Sequence, residues 1–228
     1  MGAGITVSKM KISETIILGI VQGLTEFLPV SSSGHLVAIQ NLLGFREPQL
    51  LLDCSLHLGT LLAVCLYFRS DLKHMATEIG RLNLKEPHSS LAWGILAGSV
   101  PTALIGLVFR TPLERLFGSV TLAGAMLIFT GVILAVTKVI PKGHATRSLI
   151  GLFSALAVGT AQGLAILPGI SRSGATIVCA LLCGVDRELA GRFSFLLSIP
   201  AIIGSLALQF NIEDLQLQVP HGLDSEIL

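Results

Sequence analysis

Apolar residues along this chain fall in long blocks of helix length rather than in alternation. Residues 50–68, 91–109, 120–140 and 193–210 each approach the ~20 apolar residues that carry a helix across a bilayer. Asp53 lies near the start of the first block. Two other regions, 12–44 and 149–184, are built differently: an apolar run, a break rich in Pro, Ser and Gly, then a second short run. The pieces flanking the break at 29–34 are too short to span comfortably alone. Interrupted segments of this kind mark re-entrant or broken helices, tolerated only where they line a protein-enclosed cavity. The predicted fold class is an all-α polytopic membrane protein with two re-entrant or broken helical hairpins.

Composition narrows the field. The chain has 228 residues, 52% apolar and 13% charged, with a mean hydropathy of +0.79. Soluble domains carry about 25% charged residues, so this sequence cannot supply a soluble surface, and it is too apolar for disorder. Four cysteines exclude a disulfide scaffold. Cys179 and Cys183 have the i, i+4 spacing of a metal pair, but no second pair accompanies them, so all four cysteines read as small buried apolar residues. A net charge of +1 gives no electrostatic case for a nucleic-acid partner. Lys9 and Lys11 precede an apolar run at 15–21, but no small-residue cleavage site follows, so this segment reads as mature protein.

The two broken regions are copies. With an offset of 140, residues 19–44 and 159–184 match at nine of 26 positions, including Gln22/Gln162, Gly23/Gly163, Ser31/Ser171, Ser33/Ser173, Gly34/Gly174 and Gly44/Gly184. Chance at this composition gives roughly two or three. Residues 1–140 form repeat one, a hairpin plus three spans. Residues 141–228 form a partial repeat two, a hairpin plus one span and a polar tail. An odd number of spans between the copies predicts an inverted-topology repeat, with both breaks meeting near the midplane. The loops 69–90, 138–148 and 185–192 then share one side with nine Lys/Arg against five (Lys9, Lys11, Arg46, Arg110, Arg115), which makes that side cytoplasmic. Internal symmetry predicts two further spans after Phe210, so either the chain is truncated or another chain completes it.

Four features carry chemistry. Glu26 lies in an apolar segment, one helical turn from Gln22; a carboxylate at membrane depth marks a functional site unless it sits at a water interface. Arg172 occupies the second break at the position of Ser32 in the first. Its planar fork suits phosphate or carboxylate; the bland reading is a structural Arg172–Glu26 ion pair. Ser31, Ser32, Ser33, Ser171 and Ser173, with Gly34 and Gly174, stand where new helices begin, a setting for anion binding or merely for capping. His35, one turn from Ser31 and Ser32, suits acid/base work or nucleophilic attack on phosphorus; alone it would read as structural. His57 is ambiguous, and His74, His88, His144 and His221 read as solvated. A cation at Glu26 and a phosphorylated headgroup with a long apolar tail fit this set together.

The segments Gln22-Gly23-Leu24-Thr25-Glu26-Phe27-Leu28-Pro29-Val30-Ser31-Ser32-Ser33-Gly34-His35 and Pro168-Gly169-Ile170-Ser171-Arg172-Ser173-Gly174-Ala175-Thr176 closely resemble the two signature motifs of the bacterial undecaprenyl-diphosphatase family, the bacitracin resistance proteins. The likeness runs from about Ile12 to Phe210. It implies a multi-pass phosphatase of the bacterial cytoplasmic membrane, its site open to the outer side, that removes the terminal phosphate of undecaprenyl diphosphate and recycles the lipid carrier of peptidoglycan synthesis. It implies a divalent cation, Mg2+ or Ca2+, held by Glu26 with Gln22 as a neutral helper. By position it assigns catalysis to Glu26, Ser32, His35 and Arg172. Phosphate contacts then fall to Gln22, Ser31, Ser33, Gly34, Ser171, Ser173, Gly174 and Thr176. The attacking group stays open between Ser32, His35 and water. The expected partners are a polyprenyl diphosphate lipid and the bilayer; a homo-oligomer is compatible with the sequence. The family's members run longer, ending in two more spans. The rival readings are a flippase for undecaprenyl phosphate, since transporters share inverted repeats and broken helices, and an inactive truncated relative.

Overall fold

The apolar blocks fold as helices, as the absence of water at membrane depth requires of any backbone that must satisfy its own N–H and C=O groups. The computed structural model describes residues 11–45, 49–79, 85–114, 119–141 and 146–209. Its elements are α1 (Ile12–Thr25), α2 (Ser32–Leu42), α3 (Leu50–Tyr67), α4 (Arg69–Glu78), α5 (Pro87–Glu114), α6 (Val120–Val136), α7 (Leu152–Leu164), α8 (Arg172–Leu182) and α9 (Arg187–Gln209). Among the described residues there is no strand, only an isolated bridge between Arg147 and Val185. Two helices are long and apolar enough to cross a membrane, Pro87–Phe109 and Arg187–Leu208; the bent pair Leu52–Tyr67 and Arg69–Glu78 makes a third candidate. The chain is an all-α polytopic membrane protein.

Four expectations about the spans are corrected. The first span ends at Tyr67, and the chain turns by 71° into α4, which the sequence reading assigned to a loop. Helix α5 starts at Pro87, a residue suited to the first helical position, and runs to Glu114. Helix α6 stops at Val136 rather than Ile140, and α9 begins at Arg187, six residues before the apolar block. In α4, α5 and α9 polar turns continue a helix that hydropathy alone cuts short. His88 lies in the first turn of α5 rather than in a solvated loop. Its Nδ1 contacts Glu86 Oε1 at 3.1 Å and its Nε2 lies 3.3 Å from Arg192 Nη2, while Arg192 pairs with Asp71 of α4. Lys9, Arg46, Arg81, Arg115, Lys142, His144, His221 and the polar tail lie outside the described residues.

The copies recur in space as well as in sequence. Helices α2 and α8 begin and end at positions 140 apart. Ser31 Oγ accepts from Gly34 N and Ser171 Oγ accepts from Gly174 N, so each serine caps its own helix. Each helix then stops at a glycine with positive φ, Gly44 at 90° and Gly184 at 81°. The surroundings of α1 and α7 differ. Helix α7 is sealed against α5: a Cβ on Gly159 would stand 2.0 Å from the Gly98 carbonyl oxygen, and one on Gly163 2.8 Å from Ile105. Thr102 donates to the Gly159 carbonyl at 2.8 Å across this seam. On α1, a Cβ on Gly19 would find only Leu56 at 3.6 Å and one on Gly23 nothing within 4 Å. Gly23 instead lines a cavity of about 870 Å³ with Phe27, Tyr67, Asp71, Arg192 and Phe195. The core lies around Phe193, Leu196 and Leu197 of α9, with Leu91 and Ile95 of α5 and Val158 of α7. Ile16, Ile20 and Leu24 of α1, Leu104 of α5 and Ile128 of α6 point outward, as in a protein whose solvent is lipid.

Candidate functional site

The two breaks meet. Helix α1 ends after Thr25, residues 26–30 turn, and Ser31 reverses the chain into α2. Ser31 does so at φ 66°, a left-handed conformation that costs a non-glycine residue about 1 kcal/mol or more. The second break turns on Gly169 at φ 95°. A reciprocal stitch joins them: Gly169 N donates to Ser33 Oγ at 3.4 Å, and Ser173 Oγ donates to the Leu28 carbonyl at 3.1 Å. Small residues permit the approach. A Cβ on Gly34 would reach 3.0 Å from Gly169 Cα, and one on Gly174 3.4 Å from Pro29 Cβ.

Glu26 is buried at the centre of this junction. Its Oε2 accepts from Ser32 Oγ at 2.5 Å and from Gln22 Nε2 at 2.9 Å. Its Oε1 pairs with Arg172 Nη2 from the other hairpin. Ser32 and Arg172 are the first residues of α2 and α8, so the carboxylate faces two helix N-termini and a guanidinium together. Gln22 Oε1 is buried with no partner, an acceptor held ready beside the carboxylate. Among the described residues no three His, Cys, Asp or Glu side chains converge on a metal site, so any cation would rely on Glu26, Gln22 and its own ligand for coordination.

The remaining expected residues divide. Ser31 and Ser171 are occupied as caps, and Ser33 and Ser173 as the stitch, so all four hydroxyls have structural partners. Thr176 is fully buried, and its Oγ1 is engaged by the Arg172 and Ser173 carbonyls and by Ser194 of α9. His35 lies in the second turn of α2, and its Nδ1 is 2.7 Å from the Ser31 carbonyl. A carbonyl only accepts, so Nδ1 carries the proton and Nε2 keeps its lone pair in the neutral ring.

A family model described as bacitracin resistance protein BacA matches residues 15–225. The chain belongs to the bacitracin resistance protein BacA family. Proteins named undecaprenyl-diphosphatase match it over most of its length. The one from Desulforapulum autotrophicum is 47% identical over 209 residues, 86% of this chain and 76% of that protein. The one from Desulfosudis oleivorans is 51% identical over 202 residues, 83% and 74%. The one from Methanobrevibacter smithii is 42% identical over 213 residues, 88% and 76%.

Of this BacA-family site, Thr130 escapes sequence reading and His57 is ambiguous in it. Thr130 of α6 is buried; it donates to the Gly169 carbonyl at 2.8 Å and accepts from Ser171 N at 2.9 Å, holding the second break from behind. It lies in an unbroken apolar run, where a threonine ordinarily bonds back to its own helix, so nothing marks it. His57 of α3 places Nε2 3.8 Å from Glu26 Oε2, with Nδ1 on the Asp53 carbonyl at 2.7 Å. Asp53 is in turn held by Gln40 of α2 at 2.7 Å.

Proposed function

We propose that this chain is an undecaprenyl-diphosphatase of the bacterial cytoplasmic membrane. It hydrolyses undecaprenyl diphosphate to undecaprenyl phosphate and phosphate, returning the lipid carrier to cell-wall synthesis. The observation that carries the reading is the Glu26–Arg172 pair, a carboxylate just past the end of α1 and a guanidinium at the start of α8, enclosed by apolar helices and drawn from the two hairpins that the family motifs mark. Phosphoryl transfer asks a protein mainly for position and for positive charge, and this junction supplies both.

Arg172 and the N-terminal ends of α2 and α8 hold the phosphate oxygens. The oxygen of Ser32 or of a water forms the new bond to the terminal phosphorus. The bond to the bridging oxygen breaks, and the prenyl monophosphate leaves with the electron pair; where Ser32 is the attacker, a water then attacks the phosphoserine phosphorus, and Ser32 leaves with its oxygen and regains a proton as phosphate is released. His35 takes the attacker's proton at Nε2. Glu26 and Gln22 fit a hard divalent cation, Mg2+ or Ca2+. Both offer oxygen, and Gln22 Oε1 is a buried acceptor still without a partner. When bound, the cation neutralises charge on the phosphates. The prenyl tail lies along the apolar outer faces. The excess of Lys/Arg in the segments 69–90, 138–148 and 185–192 supports a cytoplasmic place for those segments, and the family likeness supports a site open to the opposite, outer side.

The test is phosphate release from a prenyl diphosphate by the purified chain in detergent. Release should be abolished by chelator and lowered at least about 100-fold in Arg172→Ala. Headgroup binding without release would favour the flippase reading, and undiminished release by Arg172→Ala would overturn the proposed site.

A further inference from the structure

The charged groups of the site close on one another. Glu26 has both oxygens engaged, one by Arg172 and the other by Ser32 and Gln22. Arg172, the residue that would hold phosphate, is taken up by the residue that would hold the cation. The two differ in freedom: the Glu26 side chain is 3% exposed and that of Arg172 24%, so the arginine is the partner placed to swing outward.

From this arrangement we infer that the form of substrate the site admits is the cation–diphosphate chelate, and that cation and diphosphate each bind poorly without the other. The inference rests on the phosphatase reading of the site and names the ligand for it. A cation arriving alone meets Arg172 at the carboxylate and would leave a guanidinium buried without an anion. A diphosphate arriving alone takes Arg172 and leaves the carboxylate, now without its guanidinium and held only by Ser32, Gln22 and His57 at 3.8 Å, beside the ligand's negative oxygens. Uncompensated buried charge opposes both steps. The chelate exchanges the pair in one event. Its phosphates take the guanidinium, its cation takes the carboxylate, and no buried charge is left unmatched. The sparse ligand set agrees. With one carboxylate and one amide oxygen from the described residues, most of the coordination shell falls to phosphate oxygens and water, the usual arrangement for Mg2+ on a phosphorylated substrate. By linkage, each ligand must tighten the other by the same factor, and a coupling of this kind is expected at about 10- to 100-fold.

The experiment measures binding on the full chain in detergent, with Mn2+ followed by its electron paramagnetic resonance and methylenediphosphonate by calorimetry. Each is titrated alone and as the 1:1 complex, with chelate formation in solution subtracted. The complex should bind at least about 10-fold tighter than either component. Single substitutions should then act in an unusual direction. Arg172→Gln frees Glu26 and should tighten Mn2+ alone about 10-fold. Glu26→Gln frees Arg172 and should tighten methylenediphosphonate alone by a similar factor, and in both variants the coupling should disappear. Melting followed by Trp93 fluorescence confirms that each variant folds. Should one fail, the other carries the test, because each predicts a gain of affinity that misfolding cannot mimic. Independent binding in wild type, or loss of affinity for the single ligand in both variants, overturns the inference. Coupled binding without phosphate release would instead overturn the phosphatase reading and leave the exchange standing.

Discussion

Alanine at Gly159 and alanine at Gly19 make one experiment, because the two positions correspond across the repeat yet meet opposite surroundings. At Gly159 the new Cβ would lie 2.0 Å from the Gly98 carbonyl oxygen and 2.6 Å from its carbon and Cα. All three are backbone, so no side chain can rotate away and α5 and α7 must separate by more than 1 Å. Overpacking costs about 1–3 kcal/mol, and a backbone-to-backbone clash belongs at the upper end. Separation also removes the Thr102 bond to the Gly159 carbonyl, worth about 1 kcal/mol, while alanine regains nearly the same amount through helix propensity. The net is a loss of about 3 kcal/mol, or roughly 6–12 °C in melting temperature for a chain of this size. At Gly19 the nearest atom is Leu56 Cδ2 at 3.6 Å, an ordinary contact, so Gly19→Ala should be neutral or stabilising by up to about 1 kcal/mol. Melting in detergent can be followed through Trp93, the single tryptophan, which sits on α5 five residues from Gly98. A Gly159→Ala protein that melts with wild type, or a Gly19→Ala protein that falls as far, would refute the packing argument.

The site and the helix ends give further expectations. Thr130→Val strips both partners from the buried second break and should lower stability by about 2–4 kcal/mol and slow phosphate release, whereas Thr130→Ser should restore both in the melting and release assays. Ser171→Ala removes the α8 cap and should cost about 1 kcal/mol in the same melt. Glu86 caps α5 by accepting from Ser89 N at 2.7 Å, and that backbone bond holds its carboxyl below the usual carboxylate range. The stabilisation is therefore complete above the unfolded value near 4.5 and is lost as pH falls through the lower folded one. The melting difference between wild type and Glu86→Gln should accordingly be constant near neutrality and vanish in acid. Backbone amides of α7, sealed against α5, should exchange with deuterium more slowly than their repeat-mates in α1.

What the sequence displayed was local grammar. The breaks, the starts of α2 and α8 and their glycine ends were legible because Ser caps and positive-φ glycines are decided by a few neighbouring residues. Glu26 and Arg172 were legible because charge is rare at membrane depth. Whether Arg172 reached Glu26 was not, since a contact 146 positions apart is settled by how two hairpins dock. The same limit applies to the serines. A hydroxyl at a helix start is equally good as cap, as stitch or as phosphate ligand, and only the facing backbone distinguishes Ser31 and Ser171 from Ser33 and Ser173. Thr130 carried no signal because neither its spacing nor its neighbours differ from those of residues that merely pack, and His57 stayed ambiguous for want of a visible partner. Helix α4 was hidden by its polarity, which reads as loop wherever hydropathy is the guide.

The offset of 140 implies a history of duplication, and the places where the copies disagree show what came of it. Both copies keep the serine caps, the glycines and the approach to each other. Among the seventeen positions where they part are three that carry the chemistry, Glu26 against Ile166, Ser32 against Arg172 and His35 against Ala175. An ancestral pair of identical halves would have presented the same face twice, a cradle unable to tell one end of a symmetrical ligand from the other. Divergence at these three of the differing positions placed the carboxylate and the imidazole on one half and the guanidinium on the other. Handedness was thereby written into a shared scaffold, and neither half retains a complete set. A chain carrying hairpin one twice would keep the architecture with no cation facing its carboxylates; one carrying hairpin two twice would hold two arginines with nothing to balance them.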